Sequence, residues 1–463
     1  MTTNDLLNLH GQEHLIAHLE TVEESTRQSL QQQLAEIDLA QIQQLWTASQ
    51  HNTEDATDFT AVKPLPDADV VRQPADDASQ QQWDDALQAG EQALQAGRVA
   101  CVVVAGGQGT RLGFAHPKGM FPIGPVTEAS LFQFFFERLV RMQSLYDCVI
   151  PYYIMTSHAT HQPTLEFLEQ NNYFGLDANQ VKLFQQGTMP AVDQQTGQLL
   201  IAENGQLALS PDGHGGMLQA LKRAGILDDM TKRGVDFLYY HQVDNPGARL
   251  ADAELVGWHI LNDAELTTKV ASKRDAYEKM GVITTVEGKH SIVEYSDLPS
   301  EMAEATNEAG DLQFWAGNMG IHVFSRTFLE RLTTAGNELP FHFANKKVPF
   351  QNANGELIKP ESPNAIKLER FIFDALPAAK TSVIVEANRA EEFNPVKNAE
   401  GSDSPETSKA ALTAMWHNWM KKAGYSTDVS QPIEISPLRA ICPQCLEQSV
   451  SQSECEAETI LLK

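Results

Sequence analysis

The part of this sequence whose residue types point most directly to chemistry is a glycine-rich stretch that carries two cations. It reads CVVVAGGQGTRLGFAHPKG and spans residues 101–119. Its β-branched start predicts a buried strand, and the glycines let the following loop adopt positive φ and approach a ligand closely. Successive uncovered N–H groups form a concavity that binds anions. The stretch therefore predicts a polyphosphate-binding loop, whose candidate residues are Ala105, Gly106, Gly107, Arg111 and Lys118.

Two common phosphate-binding fingerprints do not fit this stretch. A P-loop needs a lysine followed by serine or threonine, whereas Lys118 lies between Pro117 and Gly119. The dinucleotide fingerprint G-x-G-x-x-G fits from Gly107 but ends at Leu112, so its last glycine is missing. A loop that merely turns the chain is the remaining alternative, and it leaves the two cations unexplained.

A second glycine-rich segment, SPDGHGG at residues 210–216, precedes a helix expected to begin near Met217. Glycines before a helix N-terminus let an anionic or hydroxylated ligand approach the backbone. We therefore regard Gly213 and His214 as candidate ligand contacts. A loop that only caps the helix is the alternative.

Two polar residues follow predicted strands and are further candidates. Gln186 carries an amide that both donates and accepts hydrogen bonds, which suits the edge of a pyrimidine base. A polar strand end is the alternative for this residue. Asp244 lies in the segment QVDNP at residues 242–246 and could hold Mg²⁺ against phosphates, since this ion takes few protein carboxylates. An aspartate before Asn-Pro is also a common start of a turn.

Length and charge restrict the class of protein. The chain has 463 residues, of which 42% are hydrophobic, so two or three domains with substantial cores are expected. The formal charge of −27 disfavours nucleic acid and anionic membranes as partners. No apolar run is long enough for a membrane span, and the first residues do not resemble a secretory signal. We therefore expect a cytoplasmic protein.

Three of the five cysteines lie near the end of the chain. Cys442 and Cys445 form one C-x-x-C pair, and Cys455 follows without the fourth ligand that a structural zinc site usually has. Metal binding and redox use remain open, but ordinary reduced thiols are the favoured interpretation.

Residues 1–98 are expected to form a helical extension packed on the main domain, with no chemistry assigned. Leucines and isoleucines follow helical spacing through about residue 50. Residues 54–78 carry prolines and many aspartates and indicate an irregular segment. A further helix is expected to have Ser79 as its N-cap and to end at Gly97.

From residue 99 onward, strands and helices are expected to alternate, which predicts an α/β fold with a mostly parallel sheet covered on both faces. The expected strands are 98–104, 149–156, 181–184, 235–243 and 381–386. Helices are expected from Ser130, around 165–168 and over 364–374. Ligands of such sheets bind at the carboxyl ends of strands, where the first glycine loop falls. We expect a central catalytic domain over 99–390 and a small C-terminal lobe over 391–463.

The motif G-G-x-G-T-R-L-G-x-x-x-P-K-G resembles the signature of the eukaryotic-type UDP-sugar pyrophosphorylases, most closely the branch that makes UDP-N-acetylglucosamine. Ordered segments from about residue 99 to 400 extend the resemblance, among them P-x-G-x-G-G at 211–216 and V-D-N at 243–245. It implies a Rossmann-like mixed sheet similar to GT-A nucleotidyltransferases. In the family, animal and fungal members usually carry asparagine where this chain has His214, which leaves the sugar open.

The resemblance also implies roles for individual residues. It implies that Gln186 contacts uracil, that the 211–216 segment touches nucleotide and sugar, and that Asp244 binds Mg²⁺. It assigns phosphate contacts to Lys367 and Lys397. Residues in segments similar to the family's sugar-binding strands are Glu294, Tyr295 and Asn318.

The implied reaction converts UTP and a sugar 1-phosphate, N-acetylglucosamine 1-phosphate first of all, to a UDP-sugar and pyrophosphate. Arg111, Lys118 and Lys397 would be the catalytic cations. No general base is required, because the second pKa of a phosphate monoester is about 6. The alternatives are the same reaction with glucose or galactose 1-phosphate, a catalytically silent nucleotide-sugar-binding protein, and an NAD-dependent oxidoreductase. The oligomeric state stays open.

Overall fold

The computed structural model describes residues 3–51, 59–447 and 449–463, which divide into two compact units, each made of separate chain segments. The small unit comprises the described residues of Met1–Ala61 together with Gln186–Met217 and Glu338–Asp374. The large unit comprises the described residues of Val62–Gln185, Leu218–Asn337 and Ala375–Lys463. Because each unit draws on distant segments, its boundaries do not follow those expected at 98/99 and 390/391.

The described α-helices are α1 Thr3–Leu9, α2 Glu13–Thr21, α3 Glu24–Ala35, α4 Leu39–His51, α5 Asp77–Gln95, α6 Leu131–Tyr146, α7 His158–Gln170, α8 Met217–Arg223, α9 Ile226–Arg233, α10 Ala253–Leu261, α11 Ser300–Ala303, α12 Arg326–Leu332, α13 Arg389–Glu392, α14 Pro405–Lys422 and α15 Gln452–Cys455.

The described strands are β1 Val62–Pro64, β2 Val70–Val71, β3 Val99–Val104, β4 Tyr152–Thr156, β5 Val181–Gln185, β6 Thr188–Pro190, β7 Val192–Asp193, β8 Leu209–Pro211, β9 Phe237–Gln242, β10 Leu266–Ser272, β11 Val282–Val286, β12 Lys289–Val293, β13 Ala316–Ser325, β14 His342–Lys346, β15 Phe350–Gln351, β16 Leu357–Ile358, β17 Ala365–Glu369, β18 Ser382–Glu386, β19 Ile433–Ile435 and β20 Ile460–Leu462.

The large unit is built around a mixed sheet in the order β2-β18-β10-β13-β9-β3-β4-β5. Within this series only β13 runs antiparallel to its neighbours, so the sheet is mostly parallel, as the sequence predicted. The strand β3 lies inside the sheet, between β9 and β4, and its residues are almost all buried. This central position explains the continuous apolar run before the first glycine loop.

The small unit contains the antiparallel sheet β14-β17-β7 and the helices α1–α4. Leu7, Leu15 and Leu30 of the helices form one buried cluster with Ile366 and Leu368 of β17. The first helices therefore pack on the small unit's own sheet. Helix α5, which also belongs to the expected extension, lies in the large unit.

The expected helix over 364–374 is wrong. Residues Ala365–Glu369 form the strand β17, which pairs with β14 on one side and β7 on the other. A short 3₁₀-helix follows at Ile372–Ala375. The apolar run of this segment is too short to distinguish helix from strand by periodicity, and pairing on both edges decides for strand.

Smaller differences concern the segment before β3. Asp76 is the N-cap of α5, and the Asp76 carboxylate accepts from the Ser79 N–H at 2.7 Å. The expected cap Ser79 is therefore the third helical residue, whose hydroxyl accepts from the Asp76 N–H. The part of the expected irregular segment at 54–58 lies outside the described residues. Across the three described ranges, no helix is both long and apolar enough to cross a bilayer.

Candidate active site

The first glycine loop and Asp244 leave the same edge of the large sheet. Strands β3 and β9 are parallel neighbours, with Val104 opposite Gln242 in the register. The Val243 N–H donates to the Val104 carbonyl at 3.2 Å, just where both strands end. Because parallel neighbours end at one edge, the loop after β3 meets the turn after β9.

The first glycine loop, residues 105–119, is closed on itself by backbone hydrogen bonds. The Lys118 N–H donates to the Gly107 carbonyl at 3.1 Å, and the Gly109 N–H donates to the His116 carbonyl at 2.9 Å. A 3₁₀-turn over Gly109–Leu112 brings Arg111 to the surface. These bonds fix the loop so that both of its cations extend from a defined backbone.

Two glycines of this loop differ in what surrounds them. A Cβ at Gly119 would lie 2.2 Å from the ring of Phe132, so the close packing of the loop on α6 requires glycine there. A Cβ at Gly107 would meet nothing within 4 Å, and the residue is exposed. The stretch Ala105, Gly106 and Gly107 therefore runs from the buried strand end to an open backbone surface that a ligand can approach.

At this edge Lys118 pairs with the carboxylate of Asp244, and two further cations lie near Lys118. The Lys118 Nζ lies 3.8 Å from the Asp244 Oδ2, and both side chains are largely buried. Burial lowers the pKa of Lys118, Asp244 opposes this shift, and the nearby Lys397 and Arg111 add to it. A cluster of like charges held this closely is an anion site, because an added anion relieves the repulsion between its members.

Asn245 is a positioning residue that the sequence analysis missed. Its side chain is buried, and its amide donates to the Glu392 carbonyl at 2.7 Å. Its Oδ1 accepts from the Asn394 N–H at 3.1 Å, and the Val396 N–H donates to the Asp244 carbonyl at 2.8 Å. These bonds tie the turn after β9 to the segment that carries Lys397. The only signal in the sequence was the amide beside Asp244.

A buried ion cluster lies next to this tie. The Lys269 Nζ contacts the carboxylates of Asp252, at 2.5 Å, and of Glu392, and all three side chains are nearly inaccessible. Burial opposes charging of Asp252 and Lys269, but their mutual attraction holds the pKa of Asp252 down at about 2 and raises that of Lys269. Glu392 is thus anchored from both its backbone and its side chain. Sequence reasoning could not find this cluster, because its members are far apart in the chain.

Two of the three sugar candidates of the large unit, Asn318 and Glu294, lie close to Gly281. The Asn318 N–H donates to the Gly281 carbonyl at 2.8 Å, and a Cβ at Gly281 would lie 3.1 Å from the Glu294 Oε1. Tyr295 follows Glu294 and is 47% exposed. The Asn318 Oδ1 accepts from the Gly320 N–H at 3.0 Å, which fixes its amide. Polar groups at the end of β12 and on β13 thus share one region of the unit.

In the small unit, Gln186 and the second glycine loop are neighbours. Gln186 is half-buried and precedes Gly187, whose carbonyl accepts from the Asp212 N–H at 3.1 Å. Strands β6 and β8 extend this pairing, with Met189 opposite Ser210. The antiparallel pair therefore joins the candidate base contact to the loop of residues 210–216.

The glycines of the second loop allow close approach to the protein's own backbone. A Cβ at Gly213, where φ is +82°, would lie 2.3 Å from the Arg370 carbonyl oxygen. A Cβ at Gly215 would lie 2.7 Å from backbone atoms of Arg370 and Phe371, and one at Gly216 would lie 2.1 Å from the Asp212 carboxylate. This packing accounts for all three glycines without a ligand.

His214 is held as a neutral imidazole within an aromatic group. Its Nδ1 accepts from the Ile372 N–H at 3.1 Å, and its ring stacks on Phe371 with centroids 5.4 Å apart. Burial, with a smaller effect of His342, lowers the pKa of His214 to about 4. Since Nδ1 accepts, the proton of the neutral ring is on Nε2, which is then a donor.

Lys367 lies on the strand β17 of the small unit, opposite Ala344 of β14. Its side chain is half-buried, whereas the flanking Ile366 and Leu368 face the apolar cluster under the helices. The alternation of a strand thus puts Lys367 on the face away from that cluster.

The acidic side chains of the site determine which kind of metal ion it could hold. Within the described part of the chain, no group of three or more histidine, cysteine, aspartate or glutamate side chains is arranged to hold a metal. Mg²⁺, however, usually keeps several waters and binds one or two carboxylates together with substrate phosphates. Asp244, paired with Lys118, fits an ion that arrives with a nucleotide and not one held by the protein alone.

Comparisons with known proteins agree with this geometry. The model of the UTP–glucose-1-phosphate uridylyltransferase family matches residues 40–438. The UDP-N-acetylglucosamine pyrophosphorylase of Saccharomyces cerevisiae is 38% identical, over 78% of this chain and 77% of its own. UDP-N-acetylglucosamine diphosphorylase 2 of Arabidopsis thaliana is 33% identical, over 95% and 89%.

A solved structure is similar over the whole chain. The uridine diphosphate N-acetylglucosamine pyrophosphorylase of Trypanosoma brucei, determined with an inhibitor, has a TM-score of 0.85 and 26% identity, and the match covers 100% of this chain and 98% of that one. Fold, motif and sequence similarity thus agree over nearly the full length. This chain belongs to the UTP–glucose-1-phosphate uridylyltransferase family.

Proposed function

We propose that this protein is a uridylyltransferase that converts UTP and N-acetylglucosamine 1-phosphate to UDP-N-acetylglucosamine and pyrophosphate. The observation that carries the proposal is the cluster of Lys118 with Arg111, Lys397 and Asp244, beside the open backbone of the first glycine loop. In a chain of formal charge −27, such a cluster of cations is suited to a polyphosphate.

The chemistry follows from the charges of the reactants. An oxygen of the sugar 1-phosphate attacks the α-phosphorus of UTP, a new P–O bond forms, and the bond to the β-phosphate breaks to release pyrophosphate. The nucleophile is already ionised near pH 7, since the second pKa of a phosphate monoester is about 6, so no proton has to be removed. The residues therefore act by positioning and by neutralising charge.

Each cation has a separate place in this scheme. Lys118 and Arg111 emerge from the first glycine loop and would hold the triphosphate, whereas Lys397 comes from the segment tied to Asp244. Lys118 is poised for this use, because burial and two neighbouring cations destabilise its charge until an anion binds. Lys367, on the small unit, is assigned to a phosphate group by the family resemblance.

We infer that Asp244 would hold a Mg²⁺ ion that arrives with the nucleotide. The single carboxylate supports this arrangement, since Mg²⁺ needs few protein ligands when phosphates are present. Bound in this way, the ion would neutralise charge that develops on the phosphates. The Lys118 ammonium, 3.8 Å from the Asp244 Oδ2, would remain to bind phosphate oxygens on the other side.

The sugar is proposed from the relatives. Those of Saccharomyces cerevisiae, Arabidopsis thaliana and Trypanosoma brucei are named for UDP-N-acetylglucosamine. Glu294, Tyr295 and Asn318 are the proposed sugar contacts, and the grouping of Glu294 and Asn318 around Gly281 supports a shared role. Gln186 is the proposed uracil contact, and Gly213 and His214 stay candidate nucleotide and sugar contacts. The cytoplasmic location stays a prediction.

The test is release of pyrophosphate from UTP across a panel of sugar 1-phosphates: N-acetylglucosamine, N-acetylgalactosamine, glucose and galactose. We expect the highest kcat/KM with N-acetylglucosamine 1-phosphate and little turnover when ATP or dTTP replaces UTP. Higher kcat/KM with glucose 1-phosphate would overturn the sugar assignment. Binding of the UDP-sugar without any release of pyrophosphate would overturn the enzymatic assignment.

A further inference from the structure

The pair Cys442 and Cys445 is brought into contact at one side of the large unit. The two residues flank Pro443 and Gln444 at a short 3₁₀-turn, and their Sγ atoms are 3.2 Å apart. The Cys445 N–H donates to the Cys442 carbonyl at 3.2 Å, which fixes the turn. Both side chains are partly exposed. Two thiols in contact and open to solvent have the arrangement that reversible disulfide chemistry requires.

The surroundings make the two sulfurs unequal. The Sγ atoms of Cys442 and Cys445 share a hydrogen bond, and the guanidinium of Arg141 on α6 lies beside the Cys445 sulfur. Together with a backbone hydrogen bond, these contacts lower the pKa of Cys445 to about 5 against the opposing effect of burial. The pKa of Cys442 is raised by its bond to Cys445 and by burial. With Arg141 beside it, Cys445 is the candidate nucleophile of the pair, and Cys442 is the candidate resolving thiol.

The other three cysteines lack these features. Cys101 is completely buried in β3, and burial raises its pKa. Burial also raises the pKa of Cys148, to about 11, and that of Cys455. The sulfur–sulfur contact of 3.2 Å is that of Cys442 with Cys445. Thiolate character, access and a resolving thiol thus coincide only at Cys442 and Cys445.

We propose that Cys442 and Cys445 form a dithiol site that exchanges reversibly with low-molecular-mass disulfides. The Cys445 thiolate attacks one sulfur of the external disulfide, which forms a mixed disulfide and releases one thiolate. Cys442 then attacks the Cys445 sulfur, which closes the internal disulfide and releases the second thiolate. Two electrons pass from the protein dithiol to the external disulfide, and the proton of Cys442 leaves with the released thiols.

The same contacts make the oxidation reversible. Stabilisation of the reduced thiolate makes the corresponding disulfide easier to reduce. The Cys442 sulfur also lies near Arg249 and Tyr146, and the Arg249 guanidinium extends toward the buried Glu392 at 3.9 Å. The dithiol is thus adjacent to the ion cluster that anchors Glu392. The proposal is independent of the proposed uridylyl transfer.

The first test is the pH dependence of alkylation of the full-length protein by iodoacetamide, followed at each cysteine by peptide mass spectrometry. Between pH 8 and pH 6, the thiolate fraction of an ordinary cysteine falls about tenfold per pH unit. We expect the rate at Cys445 to stay nearly constant over this range and the rate at Cys455 to fall. A parallel fall at Cys445 would overturn its assignment as the nucleophile.

The second test is incubation with oxidised glutathione, read by the mass of the intact protein. The wild type should lose two hydrogens and retain no glutathione, and dithiothreitol should reverse this. Cys442→Ser should retain one glutathione on Cys445, whereas Cys445→Ser should show neither product at this pair. Cys455→Ser is the matched control and should behave as the wild type. Glutathione retained on the wild type without an internal disulfide would overturn the proposal.

Discussion

The two glycine-rich loops look alike in sequence and differ in what their glycines approach. In the first loop, residues 105–119, the position of Gly107 is exposed and a side chain there would meet nothing within 4 Å. In the second loop, residues 210–216, side chains at the glycines would clash with Arg370, Phe371 or Asp212. Glycine at position 107 thus leaves backbone open to a ligand, whereas the glycines of the second loop, like Gly119 of the first, let the protein pack on itself.

The two loops also differ in charge, since the first carries cations and the second a neutral histidine. In the first loop Lys118 lies close to Asp244, with Arg111 and Lys397 nearby. Gly107 of the same loop is exposed to solvent. The second loop centres on a neutral His214 stacked on Phe371. Substitutions at Lys118 or Gly107 of the first loop should therefore act mainly on turnover, whereas substitutions at the packed glycines of the second loop should act first on stability.

The largest expected effect is that of Lys118→Ala on turnover. Loss of one preorganised donor at a site of developing charge typically lowers kcat by on the order of 10²–10³-fold. The melting temperature should change little, because the variant also relieves repulsion with Lys397 and Arg111. Pyrophosphate release under saturating UTP measures the effect. Lys232→Ala, an exposed lysine on α9, is the control. A normal kcat in Lys118→Ala would contradict the assignment of the first loop as a phosphate-binding element.

The pair Gly216→Ala and Gly107→Ala tests the comparison directly. A Cβ at Gly216 would lie 2.1 Å from the Asp212 carboxylate, so this variant should lose about 1–3 kcal/mol of unfolding free energy, as overpacked sites do. Gly107→Ala should stay within about 0.5 kcal/mol of the wild type, since nothing opposes the methyl group.

Activity should be reduced more in Gly107→Ala than in Gly216→Ala, the reverse of their order in stability loss. The methyl group of Gly107→Ala occupies the open surface that the phosphates approach, so kcat/KM for UTP should fall by about tenfold or more, a loss of ~1.4 kcal/mol. Folded Gly216→Ala should retain a larger share of its activity. Urea unfolding and initial rates on the same preparations decide the matter, and equal stability of both variants would remove the distinction between the loops.

The next effect is a pH dependence that arises at His214. Its pKa of about 4 in the folded protein lies below the ordinary value of 6.5, so the unfolded chain binds more protons between these values. Stability from this residue is fully present above about pH 6.5 and is lost as the pH falls toward 4. The upper limit is roughly 3 kcal/mol, from 1.36 kcal/mol per pKa unit.

The variant His214→Asn isolates this contribution from those of other buried histidines. The difference in unfolding free energy between wild type and variant should change between pH 7 and pH 4.5 in the direction of a less stable wild type. Urea titrations at several pH values provide the measurement. A constant difference across this range would show that His214 is not held neutral by its surroundings.

A structural feature could be predicted from the sequence where a local pattern determines it, and it was missed where contacts between distant segments determine it. The strand before the first glycine loop and the start of α6 near Ser130 were predicted, because apolar runs act locally. The strand β17 was missed, since its partners β14 and β7 come from other segments. The glycines of the second loop could be recognised, but their partner Arg370 lies far away in the chain.

The candidate site shows the same division. Arg111, Lys118 and Asp244 were identified from residue type and from their place after predicted strands. Lys118 and Asp244 lie 3.8 Å apart, where the neighbouring strands β3 and β9 end. The supports of the site, Asn245 and the cluster of Lys269 with Glu392, were not found. Their role rests on contacts across more than 100 residues, which no local pattern encodes.

The smallest expected effects come from two cation–π contacts, one in each region. The Lys397 Nζ lies 5.5 Å from the centre of the Phe393 ring, and the Arg370 guanidinium lies 4.0 Å from that of Phe341. Each contact is worth about 0.5–1 kcal/mol at a partly exposed site. Phe393→Leu keeps an apolar side chain but loosens Lys397, so KM for UTP should rise about two- to fivefold.

Phe341→Leu is the matched change in the small unit. Gly213 and Gly215 pack against the backbone of Arg370, and this variant removes the aromatic ring that Arg370 contacts. The unfolding free energy should therefore fall by about 0.5–1 kcal/mol, and KM for UTP should stay nearly unchanged. Thermal unfolding and UTP titrations of both variants measure the two effects. If Phe341→Leu raised KM for UTP as much as Phe393→Leu did without a loss of stability, the second loop would contribute to UTP binding as strongly as the segment of Lys397, because its candidate contacts Gly213 and His214 rest on the backbone that Arg370 supports.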